Sequence, residues 1–287
     1  MIRKERYTTM KIGFNEATAL RCEGQSLMAD LEMCEKYGFD YFEMRFDCLA
    51  EYMKEHSLEE LADWFKNHNI KPWAYNTLEF FNQLDPFQEM ACDWHLDWII
   101  EVCKAIDMKM LIAVPTFNVG LDKTVPEIKA EAVKRLRYMA EKVGPDIKIS
   151  LEFCGVPTCS INQFKTAYEV VEAVDLPNVG ITLDTFHFHE MGSQLEDLKK
   201  ADPAKIFVYH LNDCEDLPIG SCGDDKRLWP GDGVVDHEGI AGALKEIGFD
   251  GVCTIEEFRP EYYAMPHEEN IKKAAEVTKA FVAKHYE

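Results

Sequence analysis

The chain has 287 residues, with 31 basic against 52 acidic side chains and a formal net charge of −21. So acidic a surface repels phosphate backbones and anionic membranes, which argues against nucleic-acid or membrane binding and for a small neutral or metal-bound substrate. Apolar residues make up 47% of the chain, enough for a large core, and no run approaches the length of a membrane span.

The length suits one eight-unit β/α barrel, which typically needs about 250 residues, so no second domain is required. Residues 1–9 carry basic side chains without an apolar signal segment behind them and read as a flexible N-terminal extension. Residues 10–287 read as a single barrel domain with a long loop at about 212–236. The ten cysteines, Cys22, Cys34, Cys48, Cys92, Cys103, Cys154, Cys159, Cys214, Cys222 and Cys253, form no CxxC pair. They read as reduced, buried small hydrophobes of a cytoplasmic protein.

From Met10 onward short apolar runs alternate with amphipathic stretches, the pattern of successive βα units. Lys11 to Asn15 is the first predicted strand, opening onto Glu16, and its helix carries Leu27, Leu31 and Cys34. The second strand runs from Phe39 to Arg45 with Glu43 and Arg45 near its end; Ser57-Leu58-Glu59-Glu60 is a capping box that starts the next helix. Ile70 to Asn76 is the third strand, with Asn76, Phe80 and Phe81 at its end and in the loop beyond. A long helix from about Gln88 to Ile106 leads to the fourth strand, Lys109 to Val114, and Thr124-Val125-Pro126-Glu127 is another capped start.

In the second half Lys148 to Glu152 is the fifth strand, followed by a helix capped by Ser160-Ile161-Asn162-Gln163. Val179 to Asp184 is the sixth, with His187 in the loop after it and a helix near Gln194 to Lys200. The seventh strand ends at His210, and the rhythm then breaks into a polar, Gly- and Pro-containing loop that includes Arg227-Leu228-Trp229-Pro230-Gly231-Asp232-Gly233. Loops this long in a compact domain are usually functional. Val252 to Glu256 is the last strand, and a helix bearing Ile271, Ala274, Ala275, Thr278 and Phe281 on one face closes the chain.

Four consecutive strands thus end in a residue that binds metals: Glu152, Asp184, His210 and Glu256. In a barrel the C-terminal ends of the strands form the active face, so these side chains converge on one divalent ion. Three oxygens and one nitrogen suit Mn, Mg or Co and can also hold Zn; the ligand types alone do not select among them, and Mn is the expected ion. Nothing in the pattern reads as a closed structural zinc site, which would use cysteine. An ion with open positions polarises a ketone and its neighbouring hydroxyl, stabilising the enediolate formed when the intervening C–H loses its proton. Glu152 and Glu256 flank that position as the catalytic acid and base. His187 and Arg227 are candidate substrate contacts, as are Trp229, Asn76 and Glu16. Arg227 is equally readable as a partner of Asp224 or Asp225, Trp229 as loop core, Glu43, Arg45 and Asn76 as inter-strand polar pairs, and His189 as structural.

The motifs LEFCG at Glu152, LDTFHFH at Asp184, YHLND at His210, RLWPGDG from Arg227 and IEEFRPEYY at Glu256 resemble the xylose isomerase-like TIM barrel superfamily, the sugar phosphate isomerase/epimerase group. FNEAT, FHFHEMGS, LWPG and FRPEYY are similar to its inosose isomerase branch, from Met10 almost to the C-terminus. The resemblance implies metal ligands at Glu152, Asp184, His210 and Glu256, acid-base glutamates at 152 and 256, and substrate contacts at His187 and Arg227. The implied reaction converts 2-keto-myo-inositol to 1-keto-D-chiro-inositol. Related barrels epimerise ketohexoses, isomerise hydroxypyruvate or serve as the larger subunit of C-glycoside deglycosidases. Apurinic endonucleases share the fold, but they need a cluster of several metals and a basic groove that this acidic chain lacks. Homo-oligomers and a small partner subunit are both left open.

Overall fold

The computed structural model describes residues 10–117 and 123–286. The expected extension at 1–9 lies outside the described residues. Eight parallel strands close into a barrel: β1 (Lys11–Asn15), β2 (Tyr41–Arg45), β3 (Lys71–Glu79), β4 (Met110–Val114), β5 (Lys148–Glu152), β6 (Val179–Asp184), β7 (Ile206–Leu211) and β8 (Val252–Ile255), with β8 pairing back onto β1. The strand cores are almost wholly buried, as expected where helices cover the outside and side chains fill the inside. Among the described residues no helix is long and apolar enough to cross a membrane.

Two of the helix starts that carry capping chemistry fall where the sequence puts them. Ser57 and Glu60 exchange reciprocal bonds ahead of Leu58–Asn67, and Glu127 reaches back to the Thr124 backbone ahead of Val125–Val143. Asp85 and Gln88 form a further capping box that starts Pro86–Ile106 earlier than expected. Ser160 does not cap the helix Phe164–Val174. The Phe164 N–H donates to Ser193 Oγ instead, while the Ser160 hydroxyl pairs with Asn82. A distant hydroxyl supplies the cap, which local sequence cannot reveal.

Three boundaries differ from expectation for physical reasons. β3 runs past Asn76 to Glu79, because a register shift between Tyr75 and Leu78 absorbs the irregularity while pairing with β4 continues. Phe46–Tyr52 forms a short helix directly off β2, started without a side-chain cap and so without a readable signal. Thr185–Glu190 is a helical turn, not a loop, because the Asp184 carboxylate accepts the His187 N–H and caps it.

Four of the residues one step below the mouth, Gly13, Ser150, Thr182 and Thr254, are small or hydroxylated. Ser150 Oγ and Thr182 Oγ1 are 2.6 Å apart, and a Cβ on Gly13 would lie 2.6 Å from Thr254 Oγ1. This tight floor leaves the larger polar residues two positions further along the strands, at the C-terminal face.

Candidate metal centre

Strand alternation brings the four expected residues to one point. Glu152 ends β5, Asp184 ends β6, His210 is one residue from the end of β7, and Glu256 follows β8 directly. Their ligand atoms all lie within 4.8 Å of one another and all four side chains are buried. His210 Nδ1 is 2.8 Å from Glu152 Oε1, 3.2 Å from Glu256 Oε2 and 3.8 Å from Asp184 Oδ2. On the other side of the ring, Nε2 lies 2.9 Å from Glu43 Oε2.

That last contact sets the tautomer. With the Nε2–H donated to Glu43, Nδ1 turns toward three carboxylates, an arrangement that is favourable only with a proton or a cation between them. The charges agree: Glu43, Glu152, Asp184 and Glu256 outnumber the Arg227 guanidinium and His210 within one buried volume. Buried carboxylates in excess call for a cation, and the oxygen-rich set with one imidazole and a carboxylate behind it fits a divalent ion.

The same surroundings displace the acidities. Burial, with Glu256 and Asp184 nearby, pushes Glu152 up to about 7. Glu256 is held below the usual carboxylate range because His210 and Arg227 outweigh its burial. Asp184 is likewise held low, chiefly by Arg227, and the carboxylates around His210 hold its imidazolium well above the ordinary histidine range. A cation entering here displaces the protons on Glu152 and His210, so affinity should rise as pH climbs through about 7 and fall below it. Zinc titrations at about pH 6 and 8, in buffers of differing ionisation enthalpy, check this: proton release with tighter binding at the higher pH is expected, and pH-independent affinity would contradict it.

Glu43 was readable from sequence only as a strand-end carboxylate, and the structure places it behind His210. Its Oε2 also accepts from Asn15 Nδ2 at 2.9 Å, and Asn15 Nδ2 reaches Glu256 Oε1 at 2.8 Å. Glu43→Gln keeps the shape and removes the charge that orients and strengthens the imidazole as a ligand. Metal affinity should fall by about 10–100-fold in a chelator competition; unchanged affinity would remove Glu43 from this role.

A cavity of about 190 Å³ opens over the four residues, lined by Glu152, Glu256, Asn76, His187, Arg227 and Arg45 among others. Asn76 Nδ2 contacts Glu256 Oε1 at 3.2 Å. The Arg227 guanidinium is 1% exposed, 2.7 Å from Asp184 Oδ2, 3.3 Å from Glu256 Oε2 and 3.0 Å from Asp224 Oδ1. It also donates toward His187 Nε2 at 3.3 Å. This leaves the His187 proton on Nδ1, which is buried without a hydrogen-bond partner, and burial keeps the ring neutral by lowering its pKa. Among the described residues Glu152 Oε2 likewise has no hydrogen-bond partner.

Two expected substrate contacts lie elsewhere. Glu16 sits in a short turn whose start is capped by Asn15, so it faces outward beside Asp30 and Cys48 and accepts the Arg45 N–H at 2.7 Å; the inward position at this strand end belongs to Asn15. Trp229 does not line the cavity: its ring stacks on Tyr262 at 4.2 Å and its backbone N–H donates to the Tyr262 hydroxyl, so it is loop core. The 212–236 segment is a strap, not a free lid. Asp213 anchors it by accepting from the backbone N–H groups of Cys214, Gly231 and Val235 and from His237 Nε2. Gly233 is needed there, since a Cβ would meet the Cys214 carbonyl at 2.2 Å. Asn212 ties the strap to the centre through Asp184 Oδ2 at 2.8 Å.

Comparison with known proteins adds three findings. Residues 31–281 match the family model described as xylose isomerase-like TIM barrel. Inosose isomerase of Bacillus velezensis is 46% identical across 96% of this chain and 99% of its own length, and inosose isomerase of Bacillus subtilis 47% identical across 96% and 99%. The crystal structure of the IOLI protein with a bound zinc atom superposes with a TM-score of 0.94 at 46% identity, covering 96% of this chain and 99% of that one.

Proposed function

The chain belongs to the xylose isomerase-like TIM barrel family, and from that membership we propose that it interconverts 2-keto-myo-inositol and 1-keto-D-chiro-inositol through an enediol, using a divalent ion held by Glu152, Asp184, His210 and Glu256. The observation that carries the reading is the convergence of those four buried side chains beneath a cavity large enough for a small polyhydroxylated ketone. The near-full-length similarity to inosose isomerases supports the substrate.

When bound, the ion supplies Lewis-acid polarisation of the ketone and its neighbouring hydroxyl. The rest falls to the protein. Glu256, kept ionised by its cationic neighbours, would accept the proton from the carbon beside the carbonyl, and Glu152, held through Oε1 with Oε2 free of hydrogen bonds, would carry a proton taken from solvent on that second oxygen and return it to the adjacent carbon. His187, with its unpartnered Nδ1–H, donates to a substrate hydroxyl, and Arg227 and Asn76 fix the carboxylate orientations. Zinc in the similar structure makes zinc the first ion to test, with manganese beside it. We place the protein in the cytoplasm, where its ten unpaired, buried cysteines stay reduced.

The test is product formation by the metal-loaded chain, followed by NMR, with 2-keto-myo-inositol beside a panel of ketohexoses. A new inosose is expected. Turnover of a ketohexose alone would move the chain to the epimerase reading of the same barrel, and turnover only after adding a small partner chain would point to a deglycosidase-type subunit.

A further inference from the structure

We infer that the chain holds a second, structural metal site for a soft divalent ion such as zinc, built from Cys214, Cys222, Glu190 and His189 and separate from the oxygen-rich centre. His189, Glu190 and Cys214 each present a ligand atom within 4.8 Å of the others. Cys222 Sγ lies 3.6 Å from Cys214 Sγ, and Cys214 Sγ lies 3.3 Å from Glu190 Oε1. A tetrahedral ion with bonds of about 2.3 Å to sulfur and 2.0–2.2 Å to oxygen requires sulfur–sulfur and sulfur–oxygen edges of about 3.8 and 3.6 Å. The Cys214–Cys222 and Cys214–Glu190 spacings match those edges within a few tenths of an ångström, Cys222 Sγ stands outside the 4.8 Å set and joins it as fourth ligand by a side-chain rotation, and two sulfurs 3.6 Å apart are well beyond the roughly 2.05 Å of a disulfide.

Glu190 is the second line of argument. It is fully buried, and among the described residues no lysine or arginine pairs with it. Its Oε2 accepts the Cys222 N–H at 3.1 Å, and its Oε1 is left facing the Cys214 thiol. A buried carboxylate held by one backbone donor and one weak thiol donor is short of positive charge, and an ion replacing the thiol protons supplies it. The orienting N–H on the outer oxygen is the kind of support that metal-binding carboxylates receive. Cys214 and Cys222 are buried, while His189 is half-buried and borders a cavity of about 150 Å³ with Gly192, Ile219 and Val235, which gives an ion a way in.

The site would join the end of the Thr185–Glu190 turn, which carries His187, to the strap that carries Arg227. It escapes the sequence because the ligands come from two separated segments with no CxxC spacing. One ion there would lock two cavity-lining elements together without touching the substrate.

The test uses the full chain, purified under reducing conditions, stripped of metal and loaded with cobalt(II) alone or zinc(II) alone. A thiolate-to-cobalt charge-transfer absorption is expected, which the carboxylate- and imidazole-lined centre cannot produce. Zinc content should be two ions per chain, falling to one in the Cys214→Ser/Cys222→Ser double variant and, separately, to one in Asp184→Ala, whose charge-transfer absorption persists. If cobalt-loaded wild-type protein shows no thiolate absorption and binds a single ion, the inference is overturned, as it is if the as-purified chain is lighter by two hydrogens through a Cys214–Cys222 disulfide and takes up one ion. The wild-type spectrum decides the matter even where the cysteine variant fails to fold.

Discussion

Glu256→Gln lowers isomerase turnover by about 10²–10⁴-fold, the range by which a positioned general base accelerates proton transfer, while leaving a folded barrel. Glutamine keeps the volume and the hydrogen bonds that Glu256 Oε1 accepts from Asn15 and Asn76 but cannot take a proton. It also removes one negative charge from beside Arg227 and His210, so metal affinity drops together with turnover. The two effects separate by assaying at saturating metal: a residual deficit of at least a hundredfold is the proton-transfer share. Recovery of full rate once metal saturates would leave Glu256 a ligand only. Glu152→Gln tests the other half of the exchange, and a comparable deficit is expected there.

Arg227→Met destabilises the metal-free protein by about 3–5 kcal/mol, the range for removing one partner of a buried ion pair. The guanidinium is the cation packed against Asp184 and Glu256, sandwiched by Phe186 at 4.8 Å and Phe258 at 5.2 Å. Methionine fills that apolar sleeve but leaves the carboxylates facing one another. The pH sign follows from Asp184, whose pKa Arg227 lowers. A lowered carboxylate stabilises the fold above its ordinary range and loses that contribution as pH falls through the folded value. The difference between variant and parent should therefore be largest near neutrality and shrink in acid. Denaturant midpoints at about pH 7 and at about pH 3, below the ordinary aspartate value of about 3.9, check this; a constant difference would attribute the loss to packing alone.

The strand ends made Glu152, Asp184, His210 and Glu256 legible as a set, because a buried strand that stops at a polar residue has few ways to satisfy it. Asp184 acts in two places at once: one oxygen caps the next helical turn and the other faces the centre. Glu43 was visible but ambiguous, since nothing local says that a carboxylate on β2 meets an imidazole on β7 across the barrel. Glu16 failed because one residue of alternation separates it from Asn15, and a side chain at a strand end points in or out according to the turn that follows. Trp229 failed because its partner Tyr262 lies across a separate loop. Arg227 pairs with Asp224, as one of its readings had it, and also with Asp184 and Glu256 across the barrel mouth. In each of these cases the deciding contact is long-range, and periodicity carries only local information.

The most direct test of the central claim is solvent-proton exchange: the zinc- or manganese-loaded chain with 2-keto-myo-inositol in D2O, followed by NMR. Enediol chemistry run by Glu152 and Glu256 places deuterium on carbon next to the carbonyl in both the product inosose and the recovered substrate, and the label is lost in Glu256→Gln. An inosose that stays unlabelled and unconverted with either metal would contradict the assignment.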